Sequence, residues 1–431
     1  TFTTHGASIQ HGYNDEWGHG VPDVYAALSP ITTSKNPLSF GGGGGSGGGG
    51  SGGGGGSGNA MPFSAMKKYP VSQTSFTSSS SLGNSISNGL KNKYTYAYDA
   101  LHGGFKLYLS DFINEENLES QKIEINLKDE IEKLNSFETH NKISKNVFKG
   151  EFLNLKNQYN YGSSITLDNP SLAIQNTIPK NNFYTNPFLS ENNGIGLNQK
   201  LYISGNDLFI SYNNSKLNPL TNINHDIILP IETFAASLNL NNNVFEKFSL
   251  TTGILKEKES FLLSKSSGAF GFENENVTNF YAINLIKNFN KNSDLSFSNT
   301  FGFSNFENNN NNFVLGSTDV MSTSFEIDYE VNNFFGNDKF NLTLSQPNRV
   351  EKGEMNFRLI GLSDKNGIIP FKDHKINLSP SGRQKDLTLS YKKSINKNIK
   401  LGLKTIITDD IGHIKNRDLN TEFLLTGSVS F

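Results

Sequence analysis

The feature that most constrains this chain is a two-residue alternation of apolar and polar side chains that recurs through its last two-thirds. Between Leu295 and Phe303 the odd positions hold Leu295, Phe297, Phe301 and Phe303, and the even ones hold Ser296, Ser298, Thr300 and Gly302. Between Phe325 and Val331, Glu326, Asp328 and Glu330 alternate with Phe325, Ile327, Tyr329 and Val331. Successive side chains of a strand point to opposite faces, so each segment has one greasy face and one wet face. The pattern returns at Phe340, Leu342 and Leu344, at Leu387, Leu389 and Tyr391, and at Ile399, Leu401 and Leu403. Segments of about ten residues with this period are what a β-barrel needs to cross a bilayer. No stretch of about 18 uncharged apolar residues occurs, so a transmembrane helix is not expected. The mean hydropathy of −0.45 does not argue against a barrel, because the two faces cancel in any average.

The connections give a second line of inference. Strands are expected near 198–204, 206–213, 232–240, 245–256, 275–289, 293–305, 318–331, 338–358, 384–393, 398–409 and 420–431. The connections around Gly205, Asn242, Lys291, Gly336 and Asn396 are short, and those around Asn218, Lys265, Asn310, Ile369 and Gly412 are longer. Such alternation is expected of an outer-membrane barrel, with short turns on the periplasmic side and long loops outside. A further strand around Tyr159 to Leu167 brings the total to about twelve and both chain ends to the same side. Pro347 lacks a ladder donor and marks a bulge or a turn. A soluble β-sandwich shares the period, but has shorter strands and less regular loops. In the last strand Phe423, Leu425, Gly427, Val429 and Phe431 share one face, which is apolar to its end.

Four zones follow. Residues 1–40 hold the only Trp and look compact; residues 41–58 are a Gly/Ser-rich linker, for which a natural spacer and an engineered linker are both open. Residues 59–145 are a mixed connector, and 146–431 are the succession of strands expected to form the barrel. Within the connector, Leu127, Ile131 and Leu134 share a helical face among Lys128, Asp129, Glu130, Glu132 and Lys133. A helix over about 125–137 either plugs the barrel lumen or packs on one of its ends. No basic-then-apolar amino-terminal segment is present, so the chain reads as a fragment.

Several motifs resemble autotransporters with subtilisin-like serine peptidase passengers. Trp17-Gly18-His19-Gly20-Val21-Pro22-Asp23-Val24-Tyr25-Ala26-Ala27-Leu28 is similar to the closing turn and helix of such a peptidase. Leu82-Gly83-Asn84-Ser85 and Asp99-Ala100-Leu101-His102-Gly103-Gly104-Phe105 are similar to the segment that follows it. Leu344-Ser345-Gln346-Pro347-Asn348-Arg349-Val350 and Leu378-Ser379-Pro380-Ser381-Gly382-Arg383 resemble paired motifs of the barrels, with Gly412-His413 a weaker echo. The resemblance implies an all-β fold, a transmembrane antiparallel barrel with a short plug helix, preceded by a passenger remnant and the linker. It implies export and anchoring of a subtilisin-like passenger at the outer membrane of a Gram-negative bacterium. The partners implied are outer-membrane lipid, the barrel-assembly machinery and the passenger itself. Phe423, Leu425, Val429 and Phe431 would carry the insertion signal. Gln346, Pro347, Arg349, Gly382 and Arg383 would be barrel motifs, and Ser296, Ser298, Thr300, Glu326, Asp328 and Glu330 would line the lumen. A porin-like channel and a surface adhesin barrel are the alternatives.

Catalytic chemistry is not expected in this chain, although its parent is read as a peptidase. A subtilisin-like site needs Ser, His and Asp within hydrogen-bond reach, and the Gly-Thr-Ser motif is missing. His5, His11, Asp15, His19 and Asp23 read as surface and capping residues. No metal or cofactor motif occurs, and the Gly run lacks the strand, helix and Lys of a phosphate loop. With 38 basic and 40 acidic residues the net charge is −2, which implies no attraction to nucleic acid.

Overall fold

The computed structural model describes residues 38–42, 60–62, 67–99, 102–115, 148–150, 161–166, 186–189, 194–203, 206–217, 229–240, 244–308, 312–396 and 399–429. The first thirty-seven residues, the Gly/Ser run beyond Gly42, the expected helix near 125–137 and Phe431 lie outside them. The described chain is mostly β with almost no helix, and its strands pair antiparallel except for the parallel pair Ser75–Ser78 and Ile113–Glu115.

Upstream, short elements follow one another: β1 (Ser39–Gly42), β2 (Ala60–Pro62), β3 (Lys67–Pro70), β4 (Ser75–Ser78), helix α1 (Ser85–Leu90), β5 (Tyr94–Tyr98), β6 (Gly104–Tyr108) and β7 (Ile113–Glu115). Gly41 and Gly42, read from sequence as the start of the spacer, belong to β1, paired with Lys68 and Lys67. Then come β8 (Phe148–Gly150), β9 (Tyr161–Thr166), β10 (Gly194–Ile203), β11 (Asn206–Leu217), β12 (Leu229–Leu240) and β13 (Lys247–Lys258). After two short strands, β14 (Ser260–Phe261) and β15 (Ser264–Ser267), the long strands resume with β16 (Glu275–Asn290), β17 (Ser293–Glu307), β18 (Val314–Asn332) and β19 (Asp338–Ile360). The chain closes with β20 (Ile368–Asn377), β21 (Lys385–Ser394), β22 (Ile399–Asp409) and β23 (Asn420–Val429).

The large sheet is a meander. Its strand order is β8-β9-β10-β11-β12-β13-β16-β17-β18-β19-β21-β22-β23, so each long strand pairs with its sequence neighbours, and β20 branches from the far half of β19. Opposite Gln346 and Arg349 the register slips between Thr323 and Phe325, which puts Pro347 at an irregularity rather than in a regular ladder.

Two small sheets sit at the long-connection end. One is β3-β1-β5-β6; the other, β14-β15-β4-β7, interleaves upstream strands with the connection between β13 and β16. A hydrocarbon core joins them. The Phe40 ring meets Phe112 at 5.4 Å and Phe313 at 4.9 Å, and Phe270 lies between Phe76, Phe313 and Phe357. Ile86 and Leu90, four residues apart on α1, are fully buried with Leu82, Tyr98 and Leu109. Each such side chain stabilises by about 1.5–3 kcal/mol when taken out of water. The upstream segment is thus bonded into the sheet's far end through one core.

A second apolar contact lies within the buried face of the large sheet. Phe188, in the turn Asn186–Leu189, stacks on Phe280 at 5.4 Å, and the side chain lost at Gly302 makes the room, since a Cβ there would meet the Phe188 ring at 2.4 Å.

Candidate functional site

The two faces of the large sheet are opposite in chemistry and in exposure. One row of paired residues, Ser249, Asn284, Ser298, Glu326, Ser345, Asp386 and Thr408, crosses seven strands, and every member is buried. Ser296, Thr300, Asp328 and Glu330 are buried on the same face. These groups hydrogen-bond along the rows. Ser298 donates to Asn284 at 2.7 Å, Asn341 and Thr343 donate to Asp328 at 2.6 Å, Thr408 donates to Asp386 at 2.6 Å, and Lys339 pairs with Glu330 at 2.7 Å. Buried polar groups need such partners, and for these pairs the strand period supplies them.

The neighbouring row on the other face reads Phe248, Leu285, Phe297, Ile327, Leu344, Leu387 and Ile407. This face is exposed: Phe234 is 50 % accessible, against 1 % for Glu326. Tyr281, Ile283, Phe303, Tyr329, Leu389 and Leu403 are exposed with it. On the last strand Phe423 and Leu425 point the same way and are the most open, because β23 has β22 on one side only among the described pairings. The backbone of Val429 pairs with Ile399, and nothing is described of its side chain.

At the long-connection end, motifs up to 330 residues apart meet. Arg349 donates to the carbonyls of Gly382 and Pro380 at 2.8 and 2.9 Å, and to Glu351 at 2.6 Å. Arg383 reaches the same Glu351 oxygen at 2.6 Å and also donates to Gln346. Thr323 donates to the other Glu351 oxygen at 2.8 Å. The Gly382 N–H donates to the His413 carbonyl at 2.7 Å, linking the Pro380 connection to the Gly412 connection. The upstream segment enters the same lattice. Asn84 exchanges two hydrogen bonds with Ser381, Asn348 donates to Ser81, and Val350 N–H donates to the Ser81 carbonyl at 3.0 Å. Gly83, at φ +49°, lies against this lattice; a Cβ there would meet the Gly412 carbonyl at 2.5 Å.

His413 is the keystone of this lattice. Its ring is wholly buried; Nδ1 accepts from the Gln384 N–H at 2.9 Å, which leaves the proton on Nε2 to face the Asn348 carbonyl at 3.1 Å. Burial holds its pKa down at about 4, and the Arg349 and Arg383 charges add to that; the Asn348 carbonyl and Asp386 oppose it. Sequence reasoning singled out Gln346, Arg349, Gly382 and Arg383, and placed Asn348 and His413 within motifs, but not Glu351 or Gln384. Glu351 stands two residues after Arg349 and so shares its side of the strand, which is the signal that was there to read.

Arg349→Ala removes four charge-assisted hydrogen bonds, to Gly382, Pro380, Val350 and Glu351, and leaves Glu351 short of one cation. A loss of about 2 kcal/mol is expected, with faster proteolysis at residues 379–384 in the folded protein. Arg349→Lys should recover little of it, since one ammonium does not reproduce the planar fork. Full recovery by lysine would show that charge alone holds the connections.

Among the described residues no group of His, Asp and Glu is arranged to hold a metal ion. His5, His11, Asp15, His19 and Asp23 lie outside them. Compared with known protein families, curated proteins and solved structures, the chain matches none.

Proposed function

We propose that this chain is the translocator of an autotransporter, in which the large sheet closes into an outer-membrane barrel of about twelve strands, β9 to β23 without the short strands and β20. The barrel exports the polypeptide attached in front of it and anchors it at the surface of a Gram-negative cell. The carrying observation is that, across the ladder from Phe234 to Leu403, the serines, threonines and carboxylates of the polar rows are buried while Phe234, Tyr281, Phe303, Tyr329, Leu342, Leu389 and Leu403 are exposed. In water that order is inverted, because each exposed Leu or Phe forgoes about 1.5–3 kcal/mol. In a bilayer it is the stable order: lipid covers the outer face, the lumen holds the polar rows, and curling the sheet buries its own inner face.

The attachment of residues 67–115 to the long connections favours a translocator over a passive porin. Those connections would be external, so the upstream chain arrives at the cell surface, and its core spans the mouth that a porin leaves open. Glu326, Asp328 and Glu330 would line the lumen, Phe423 and Leu425 would belong to the recognised final strand, and the resemblance to subtilisin-like passengers makes the upstream cargo a peptidase. Outer-membrane lipid, the barrel-assembly machinery and the passenger are the partners under this reading.

The full chain, expressed with a bacterial signal peptide in a Gram-negative host, tests it. Expected are a band that shifts on boiling, cleavage before residue 67 by protease added to intact cells, and a mostly closed conductance in planar bilayers. A steady wide-open conductance would favour the porin, and a protein recovered wholly in the soluble fraction would end the barrel reading.

A further inference from the structure

We propose that the two adjacent short turns between β16 and β17 and between β18 and β19 form a binding site for the headgroup of an anionic phospholipid. The inference rests on the barrel reading, which puts these turns at the periplasmic leaflet, but concerns a site that the reading does not require. The turns are tied together, since the Asn332 N–H donates to the Asn292 carbonyl at 2.7 Å. Between them is an open depression of about 580 Å³ with Lys291 at its edge and the rings of Tyr329, Phe334 and Phe340 in its wall.

Three observations point to a lipid. First, the aromatic side chains are held out, not merely loose. The Asp338 carboxylate accepts the Phe335 N–H at 2.9 Å and the Tyr391 hydroxyl at 2.7 Å, and Phe334 packs on Phe335 at 4.4 Å and stacks on Phe340. So fixed, Phe335 remains 73 % exposed and Phe334 52 %. Rings held at the boundary between hydrocarbon and water suit the interfacial region of a membrane. Second, the depression is continuous with the apolar face, because Tyr329 and Phe340 lie on the strand side that carries Ile327, Leu342 and Leu344. An acyl chain on that face would bring its headgroup to the two turns. Third, Lys291 is exposed and forms no ion pair among the described residues, and its compact ammonium suits a phosphate as a point charge. Asn290, Asn292 and Asn333 offer amides beside it.

The test places the full chain in phosphatidylcholine vesicles containing a phosphatidylglycerol with a photoreactive headgroup, and maps the labelled residues. Labelling should concentrate in 289–293 and 332–338, and a twofold excess of unlabelled phosphatidylglycerol should compete where phosphatidylcholine does not. Lys291→Glu should lower it about fivefold or more, the factor that a single lysine contributes near an anionic surface. Phe335→Ala, which leaves the charge in place, should lower it to a smaller extent. Labelling spread evenly over all short turns, or unchanged in Lys291→Glu, would overturn the site while leaving an inserted barrel. A chain that does not enter the vesicles and is fully digested by external protease would remove both.

Discussion

Leu342→Arg combined with Leu389→Arg is expected to prevent stable folding in a bilayer. The two leucines face one another across β19 and β21, halfway along the latter strand, and both are exposed. On the lipid face near the midplane an arginine costs about 2–4 kcal/mol, so the pair loses about 4–8 kcal/mol, with mutual repulsion on top. That exceeds the margin of a typical domain at its lower end. The opposite face supplies the control. Thr343→Ser and Thr388→Ser, at the neighbouring buried pair, keep a hydroxyl toward the interior and should change stability by much less. Were the sheet soluble, arginine at an exposed leucine would alter stability by no more than about 0.5 kcal/mol per site. The two readings therefore differ severalfold in the size of the loss. Urea unfolding in phosphatidylcholine vesicles, followed by the heat-shifted band, measures it. A double arginine variant as stable as its parent would remove the lipid from the argument.

The strands themselves were legible because one face had to be apolar along its whole length, and a period of two survives any tertiary arrangement. The segments expected near 275–289, 293–305, 384–393 and 398–409 differ from β16, β17, β21 and β22 by no more than two residues at an end. The strand placed around Tyr159 to Leu167 corresponds to β9. β20 escaped, as its run Ile368-Ile369-Pro370-Phe371 then turns to charged residues without alternation, and it is fixed by pairing with the far half of β19 and with β2 and by core packing of Ile369 and Ile376. The motifs around His413 were visible in the sequence, but the contacts among them were illegible for a different reason. Ser81, Asn84, Asn348, Glu351 and Ser381 are ordinary polar residues in sequence, and their roles arise from contacts made across as many as 297 positions. Phe188 gave no signal because its partner Phe280 and the space at Gly302 lie on distant strands. The expected helix near 125–137 lies outside the described residues.

Acidification from pH 6.5 to about pH 4 is expected to open the connections that hold the upstream segment, through His413. Its ring is buried neutral, and protonation would set a second N–H against the Gln384 N–H that Nδ1 now accepts. The folded value of about 4 lies below the ordinary 6.5, so between those limits the unfolded form binds more protons and stability rises with pH. The contribution is fully present above pH 6.5 and falls away as pH drops to about 4, by a total on the order of 3 kcal/mol. Because Gly382 N–H is bound to the His413 carbonyl and Ser381 to Asn84, the release should appear first in the Pro380 and Gly412 connections and then in residues 81–84. Amide exchange at Gln384 and Gly382 reports it directly: the protection factor, taken against the intrinsic rate at each pH, should fall roughly a hundredfold across the window. His413→Gln, which cannot take up a proton, should be less stable at neutral pH but nearly flat from pH 6.5 to pH 4. The long strands, bonded through their ladders, should stay protected throughout. An equal loss of protection along β16 to β18 would mean that acid acts on the large sheet rather than on this ring, and an unchanged pH profile in His413→Gln would acquit it altogether.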